Sequence, residues 1–552
     1  MLDHTTLASP IDDIPLLQLA EWLQARLARE VGTMSRSVLE QVASSYKAVY
    51  LEAQYALDAT YRLSPEVLGL IFRYVPGTPL NDLTDQSIGG RPLCFKDHDL
   101  VRSRDVVPLT HVCRRWRAIT IGLPELWTTI DGTKQIPYDV QAMRSRTRPL
   151  KVFIHSYLRS EFRRWLRTHA SDVQEFHYIY AANADRYAVL MTDYPNVRAA
   201  TLVDNNIRIR DTQCELFGGS TSLRSLCMQG ISWLPTNHFP HLTRLYLGNQ
   251  PEHGTGSMAE FAAFLARCPN LVDLILLHWH FGQVTLTPEI GSAQLPQLRR
   301  LTLQGFHQGE IMIFLSHIYV PADAALCVRM MHNPVDLLDV VAVSSFPALE
   351  SCNRVQIIKS ASVFSMTALG HTSGVYIQKF DIKDELPPRG GKLAKIIPLP
   401  HLEELWLVER QSCEPMPSEV LRDLLRPIRA LRKLVITSEG LPELNHVLRF
   451  TNIDATARHP PIHEIHILVN SPPKNSRIVV KCMKDFKAAK IAKVVIVIPK
   501  DYPAVYEPAL AVAGFDFVEL RRTRAMPCIE LPSVCATRSE LWPSWDNFLT
   551  LA

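Results

Sequence analysis

A leucine phrase of the form L-x-x-L-x-L recurs along most of this chain and constrains its fold more than any other feature. Its first positions are residues 197, 223, 242, 271, 298, 402, 431 and 462, and the marked sites carry Leu or a similar apolar residue. Degenerate copies near Leu326, Leu349 and Val375 divide the one long gap, between 298 and 402, into similar steps. Self-similarity at a period near 27 indicates a repeat protein in which each unit buries its apolar edge on the next.

Within each repeat the pattern predicts a short strand followed by a helix or turn. Proline stands two residues before the first apolar position six times, where it stops the preceding element because it lacks an N–H (Pro195, Pro240, Pro269, Pro296, Pro347 and Pro400). Helical spacing of apolar residues follows some strands, as in 258–265 and 420–425. Further strands are expected around 150–154, 173–178, 491–498 and 515–520. A strand followed by a helix, repeated at this period, predicts an irregular leucine-rich-repeat solenoid (a horseshoe) over residues 131–520.

The flanking regions are predicted from helical periodicity and tryptophan content. Residues 1–61 form an N-terminal helical segment, with one stripe of leucines (Leu16, Leu19, Leu23 and Leu27) and a second stripe after Gly32. Residues 521–552, which contain Trp542 and Trp545, form a C-terminal cap or tail, because a terminal repeat needs cover for its open edge. The predicted fold class is therefore α/β, with helices first and the repeats after them.

Composition narrows the class of protein. Lys and Arg number 59 and Asp and Glu 55, a formal charge of +4, so a strongly basic nucleic-acid binder is not indicated. The 11 cysteines include no Cys-x-x-Cys pair, which favours a reducing compartment. The most apolar stretch, 324–346, carries several charges, and the first thirty residues do not form a secretory signal. We expect a soluble protein without a membrane partner, located in the cytoplasm, the nucleus or both.

Residues 62–130 predict a compact unit of three short helices. The first helix begins at Ser64-Pro65-Glu66, a capping residue followed by the proline and acidic residue that favour a helix start. The second carries Val112, Cys113 and Trp116, and the third begins at 123–127 with Leu-Pro-Glu-Leu-Trp. Between the first two lies a loop-like insertion, 76–105. Three small helices cannot bury all their apolar side chains, so the unit is expected to gain from a partner.

This unit resembles an F-box, specifically the F-box-like variety abundant in mushroom-forming fungi. The resemblance rests on Leu-Ser-Pro-Glu-Val-Leu-Gly-Leu-Ile-Phe at 63–72, Val-Cys-Arg-Arg-Trp at 112–116 and Leu-Pro-Glu-Leu-Trp at 123–127. It covers about 70 residues closely and the rest of the architecture loosely. The chain departs from the family at Ser64, where many members have proline, and in the insertion.

The resemblance implies a substrate receptor of a cullin-type ubiquitin ligase. The F-box would dock on a Skp-family adaptor, which joins it to a cullin, while the repeats hold a target protein. The adaptor-binding residues carried over from the family are Leu63, Pro65, Leu68, Ile71, Phe72, Val112 and Trp116. The open alternative is a leucine-rich-repeat scaffold or recognition protein that never enters a ligase.

No catalytic, cofactor or metal motif is recognisable, so an enzyme is not expected. The spacing in His463-Glu464-Ile465-His466 is one residue short of the zinc-protease motif and lies in a strand phrase, and His278-Trp279-His280 lacks a third ligand. A basic block predicts, more weakly, a surface for an acidic or phosphorylated target (Arg144, Arg146, Arg148, Arg163 and Arg164). Its other interpretations are an ordinary solvated face and a nucleic-acid surface, although the aromatic residues expected to stack on bases are not interleaved with it.

Overall fold

The chain forms two compact units in a computed structural model. The structure describes residues 16–57, 62–79, 100–131, 136–155, 159–179, 186–204, 214–231, 233–248, 257–279, 292–306, 308–330, 346–360, 363–380, 401–409, 415–453, 462–469, 476–500, 515–524, 527–536 and 545. The first unit comprises Met1–Pro76 and Val106–Leu123, and the second comprises Gly77–Asp105 and Pro124–Ala552. The described residues of the predicted insertion, 77–79 and 100–105, therefore belong to the second unit.

Helices of 4 to 22 residues occur throughout the described part of the chain. The first five are α1 (Leu16–Glu30), α2 (Arg36–Leu57), α3 (Pro65–Tyr74), α4 (Ser103–Val112) and α5 (Arg114–Gly122). The others are α6 (Tyr138–Ser145), α7 (Ser160–Thr168), α8 (Arg186–Leu190), α9 (Met258–Ala266), α10 (Gln308–Ser316), α11 (Pro347–Glu350), α12 (Ser418–Leu425), α13 (Leu441–Ile453), α14 (Ser476–Ala488) and α15 (Ser533–Ala536). A 3-10 helix spans Pro124–Trp127.

The second unit is built on a large, mostly parallel sheet. Its strands up to the middle of the chain are β1 (Thr129–Asp131), β2 (Leu150–Ile154), β3 (Val173–Ile179), β4 (Ala199–Val203), β5 (Ser225–Gln229), β6 (Arg244–Gly248), β7 (Asp273–Leu277), β9 (Arg300–Gln304) and β11 (Ala325–Met330). The later strands are β12 (Arg354–Lys359), β13 (Val363–Leu369), β14 (Gly374–Phe380), β15 (Glu404–Glu409), β16 (Lys433–Thr437), β17 (Glu464–Leu468), β18 (Lys493–Pro499) and β19 (Val518–Thr523). Strands β8 (Ala293–Gln294) and β10 (Ile318–Tyr319) pair separately.

Sequential strands are neighbours over most of this 17-stranded sheet. Strand β9 pairs with both β7 and β11, and β11 pairs with β14. Strand β13 lies antiparallel between β14 and β12, and β12 then pairs in parallel with β15. The parallel series continues through β16, β17 and β18 to β19. The chain is thus mixed α/β, as predicted at that level.

Each leucine phrase coincides with a strand whose apolar side chains enter one continuous core. The second and third phrase positions lie in the strand on one face, as Leu245 and Leu247 do in β6 and Leu434 and Ile436 do in β16, and all four are buried. Helices such as α9 and α12 cover this first face with buried residues of their own. Strand side chains alternate between faces, so the phrase spacing sets which face is packed against helices.

The opposite, second face of the sheet carries a separate apolar cluster. Cys227, Tyr246, Ile275, Cys327, Tyr376, Trp406, Val408, Val435, Val495 and Val497 belong to it. Ile529, Cys535 and Trp545 complete it from beyond the last strand. Residues 527–536 with Trp545, hereafter the tail segment, therefore pack on this face, and the Trp545 ring lies 5.7 Å from that of Tyr376.

Two features depart from the sequence analysis. The antiparallel strand β13 interrupts the parallel series in the stretch where the repeats were expected to be degenerate. Strand β19 continues to Thr523, past the predicted boundary at 520, and the tail segment, which belongs to the predicted cap or tail, packs on the second face. Of the predicted N-terminal stripe, Leu27 is half-buried in α1, while the side chains of Leu16, Leu19 and Leu23 lie outside the described set.

Candidate partner-binding surface

Helix α3 begins as its sequence predicts. Ser64 is the N-cap, with extended backbone angles, and its side chain accepts a hydrogen bond from the Val67 N–H at 3.4 Å. Pro65 takes the first helical position, where a missing N–H costs nothing. A hydrogen bond from the Ser64 side chain lowers the pKa of Glu66 below its ordinary value, so this carboxylate stays charged at the positive end of the helix dipole.

One side of α3 is packed inside the first unit. Leu68, Gly69 and Phe72 are buried. The Phe72 ring lies 4.7 Å from the ring of Trp116 on α5, at an angle of 53°. A tilted aromatic pair at this distance is a favourable packing arrangement. Leu68 and Phe72 therefore act as core residues of the free chain.

The other side of α3 presents apolar side chains to solvent. Val67, Leu70, Ile71, Tyr74 and Val75 are between 42% and 88% exposed. Their spacing of three and four residues places them on one helical stripe. A contiguous exposed apolar stripe costs free energy in water, and such surfaces mark sites of protein association.

Helix α5 is joined to the start of α3 by one polar contact as well as by the aromatic pair. Cys113 is the N-cap of α5, and its Sγ accepts a hydrogen bond from the Trp116 N–H at 3.4 Å. The Arg115 guanidinium donates to the Leu63 carbonyl, and Arg117 donates to the Thr110 carbonyl at 2.8 Å. Arg115 thus ties α5 to the residue before the α3 cap, and Arg117 ties α5 to the end of α4.

The predicted adaptor-binding residues fall into three environments. Ile71, Pro65 and Val112 are exposed, Val112 to 59%, whereas Leu63 and Trp116 are half-buried. Leu68 and Phe72 are inaccessible in the free chain. The structure therefore places part of the predicted set on the surface and part beneath it.

Four residues of the stripe, Val67, Leu70, Tyr74 and Val75, were not among the predicted adaptor-binding residues. Helix α3 is apolar almost all round, so periodicity alone does not say which stripe packs inward. The glycine at position 69 is the available signal. A Cβ there would lie 3.6 Å from the Leu123 side chain, so the face next to Gly69 approaches another element closely.

The predicted basic surface is divided between two helices of the second unit. The Arg144 guanidinium lies 4.4 Å from the centre of the buried Trp127 ring, and burial lowers the pKa of Arg144. Arg146 and Arg148 are exposed after α6. Arg163 is half-buried and Arg164 exposed on α7. Arg144 thus stacks on an aromatic ring. The exposed arginines, Arg146, Arg148 and Arg164, form a smaller basic set than the sequence suggests.

Only one of the two histidine pairs lies within the described residues. Groups of three or more metal-ligating side chains are absent from the described ranges. His466 lies in β17, and its Nε2 is 2.9 Å from Oε1 of Glu464. His280 lies outside the described residues. Within those same ranges, no helix is both long and apolar enough to cross a membrane.

The chain matches no protein-family model. It also has no match among curated protein sequences.

Proposed function

We propose that the chain is the substrate-receptor subunit of a cullin-type ubiquitin ligase. The first unit acts as an F-box that docks on a Skp-family adaptor, and the second unit is an irregular leucine-rich-repeat solenoid that holds a target protein. The exposed stripe of α3 carries this proposal. An apolar surface next to the half-buried Leu63 and Trp116 supports a protein partner, and the subunit itself needs no catalytic group.

The stripe suits an adaptor interface for a physical reason. Leu70 and Ile71 stand on a helix whose opposite side is locked by Leu68 and Phe72, so their positions are fixed before binding. Preorganised apolar side chains lose little conformational entropy on association and therefore give a tight interface. Tyr74, 88% exposed, adds a large amphipathic side chain of the kind enriched in protein interfaces.

Co-expression of the full chain with a Skp-type adaptor tests this function. We expect the two proteins to co-purify, and we expect Leu70→Asp and Ile71→Asp to abolish co-purification because each buries a charge in the interface. Met143→Asp is the matched control, since Met143 is exposed on α6 of the second unit. Failure of the intact chain to bind, or an equal loss with Met143→Asp, contradicts the proposal.

The alternative function is a repeat scaffold that never enters a ligase. One observation favours it: Leu68 and Phe72, both carried over as adaptor contacts, are buried in the free chain. If the chain is a scaffold, the intact chain should bind its target and should not bind the adaptor. The co-expression experiment separates the two functions.

A further inference from the structure

The two terminal strands of the large sheet have different surroundings within the second unit. Strand β1 is buried along its whole length. Two residues of the preceding segment also bond to it, since the Val101 N–H donates to Thr129 Oγ1 at 3.0 Å and Ser103 Oγ donates to the Thr129 carbonyl at 3.3 Å. At the other end, β19 pairs only with β18 in the part of the chain that the structure describes. One terminal strand is therefore covered and the other has an open edge.

The hydrogen bonds between β18 and β19 show which backbone groups of β19 face the open edge. The Val494 N–H donates to the Phe517 carbonyl at 2.9 Å, and the Lys500 N–H donates to the Thr523 carbonyl at 2.8 Å. In a parallel ladder, alternate residues direct both their N–H and their C=O to the same neighbouring strand. The odd-numbered residues of β19 therefore bond to β18, and Leu520 directs its N–H and C=O to the open edge.

The side chains in the middle of β19 are accessible from solvent. Leu520 is 40% exposed, and the side chains of Glu519 and Arg521 are 41% and 54% exposed. An edge strand with outward backbone groups and accessible side chains is a template on which a further strand can pair. The open edge thus offers a partner both polar backbone groups and an apolar side chain.

Two charged side chains of β19 lie on the second face, one on each side of Leu520. Strand register puts Glu519 opposite Val495 of the second-face cluster, and Arg521 follows two residues later on the same face. Glu519 Oε1 accepts from Arg521 Nη2 at 2.9 Å, and Glu519 Oε2 lies 2.7 Å from Lys493 Nζ. A carboxylate accepts several hydrogen bonds and a guanidinium carries five donors, so these pairs leave capacity for a partner strand.

A second copy of β19 is complementary to the first in one antiparallel register. When the two copies pair about Leu520, the outward N–H and C=O of this residue meet those of Leu520 in the other copy. Glu519 of each copy then stands directly opposite Arg521 of the other copy, on the same face. A register centred on Glu519 or on Arg521 instead places like charges opposite each other, which is unfavourable. The charges therefore select the register centred on Leu520.

We propose that β19 joins two copies of the chain by antiparallel pairing centred on Leu520. The Leu520 side chains meet on the first face, and two Glu519–Arg521 pairs form between the copies on the second face. A two-fold interface uses the same patch on both copies, so assembly stops at a dimer. The contact is confined to one strand of each copy, and the dimer is therefore weak and concentration-dependent. This inference does not depend on the proposed adaptor docking.

Sedimentation velocity of the full chain, from micromolar to near-millimolar concentration, tests this interface. We expect a monomer–dimer equilibrium whose dissociation constant rises about tenfold or more in Glu519→Arg and in Arg521→Glu, because each change puts like charges opposite each other. The double variant Glu519→Arg/Arg521→Glu restores opposite charges across the interface and should regain dimerisation. Arg524→Glu is the matched control, since Arg524 is exposed one residue beyond the end of β19, and it should dimerise as the unchanged chain does.

Leu520→Pro tests the backbone part of the interface. It removes the outward N–H and none of the hydrogen bonds between the odd-numbered residues and β18, and proline is tolerated on edge strands. The variant should therefore melt as the unchanged chain does and remain monomeric.

Four outcomes overturn the proposal. They are a monomer at every concentration, growth beyond a dimer, dimerisation of Leu520→Pro equal to that of the unchanged chain, and failure of the double charge variant to recover what the single variants lose. Equal weakening by Arg524→Glu counts against it as well, because that would reflect net charge in place of strand pairing.

Discussion

Helix α3 in the first unit and strands β15–β18 in the second carry similar apolar side chains in opposite surroundings. Val67, Leu70 and Ile71 are 42% to 52% exposed. Trp406 and Val435, on the second face of the sheet, are at most 4% exposed because that cluster is completed by residues of the tail segment. Residues of the chain itself cover the apolar cluster on the second face, whereas the stripe of α3 is exposed to solvent. The exposed stripe of α3 is therefore the surface to test for a partner.

Truncating the tryptophan of the tail segment that packs on the second face should reduce stability the most. Trp545→Ala deletes a fully buried aromatic side chain that packs on Tyr376, and it should cost about 3–5 kcal/mol of the unfolding free energy of the second unit. Guanidinium unfolding followed by circular dichroism measures it. Trp22→Ala, at a 52% exposed site on α1, should change stability by about 0.5 kcal/mol or less. Similar values for both variants would mean that the tail segment adds no stability.

The two sides of α3 should separate stability from binding. Leu68→Ala empties a buried site and should cost about 2–5 kcal/mol. Leu70→Ala, on the exposed stripe, should leave stability within about 0.5 kcal/mol but weaken adaptor binding. Thermal melting and adaptor titration of both variants provide the measurement. If Leu70→Ala destabilises the chain as much as Leu68→Ala, the stripe is part of a core.

Removing the N-cap side chains of α9 and α3 should lower the unfolding free energy by smaller and unequal amounts. Ser257 forms a complete capping box with Glu260 at the start of α9, with bonds of 2.9 Å and 3.2 Å. Ser64 accepts one longer bond from Val67. Ser257→Ala should therefore cost about 1–2 kcal/mol and Ser64→Ala about 0.5–1 kcal/mol, as determined by chemical denaturation. The reverse order would show that the α3 cap is the stronger one.

The smallest effect concerns Glu409 in β15. Burial raises the pKa of this carboxyl, although the Met416 N–H donates to it at 2.6 Å. A raised folded-state pKa favours the protonated form, so its contribution to stability is present at low pH and is lost as pH rises through that pKa. Glu409→Gln should raise the melting temperature at about pH 8, and the gain should shrink toward about pH 5. A gain independent of pH would exclude this cause.

Much of the sheet could be predicted because one physical rule repeats. Apolar side chains at the second and third phrase positions must point to one face, so Leu301 and Leu303 mark β9 as plainly as Ile465 and Ile467 mark β17. The antiparallel β13 was not predictable, because its pairing depends on partners in β12 and β14 and its own sequence breaks no pattern.

The surfaces were harder to predict because they depend on contacts between distant residues. Trp545 packs on Tyr376, which precedes it by 169 positions (545 − 376), and no periodicity connects the two. On α3, the choice between Leu68 and Leu70 as the inward residue depends on Trp116 and Leu123, which lie on a later segment. Local sequence gives the helix, and only packing decides which side remains exposed.

The position of the tail segment also determines when the protein can finish folding. A ribosome releases the chain from its N-terminus, so every strand of the sheet emerges before Trp545 does. Until then Tyr376 of the nascent chain lacks the Trp545 ring that packs on it, and this exposed apolar surface can attract chaperones or other unfinished chains. A chain whose translation stops just before Trp545 contains all the strands of the sheet but leaves apolar side chains of its second face exposed. Cellular quality control would have to remove such a chain.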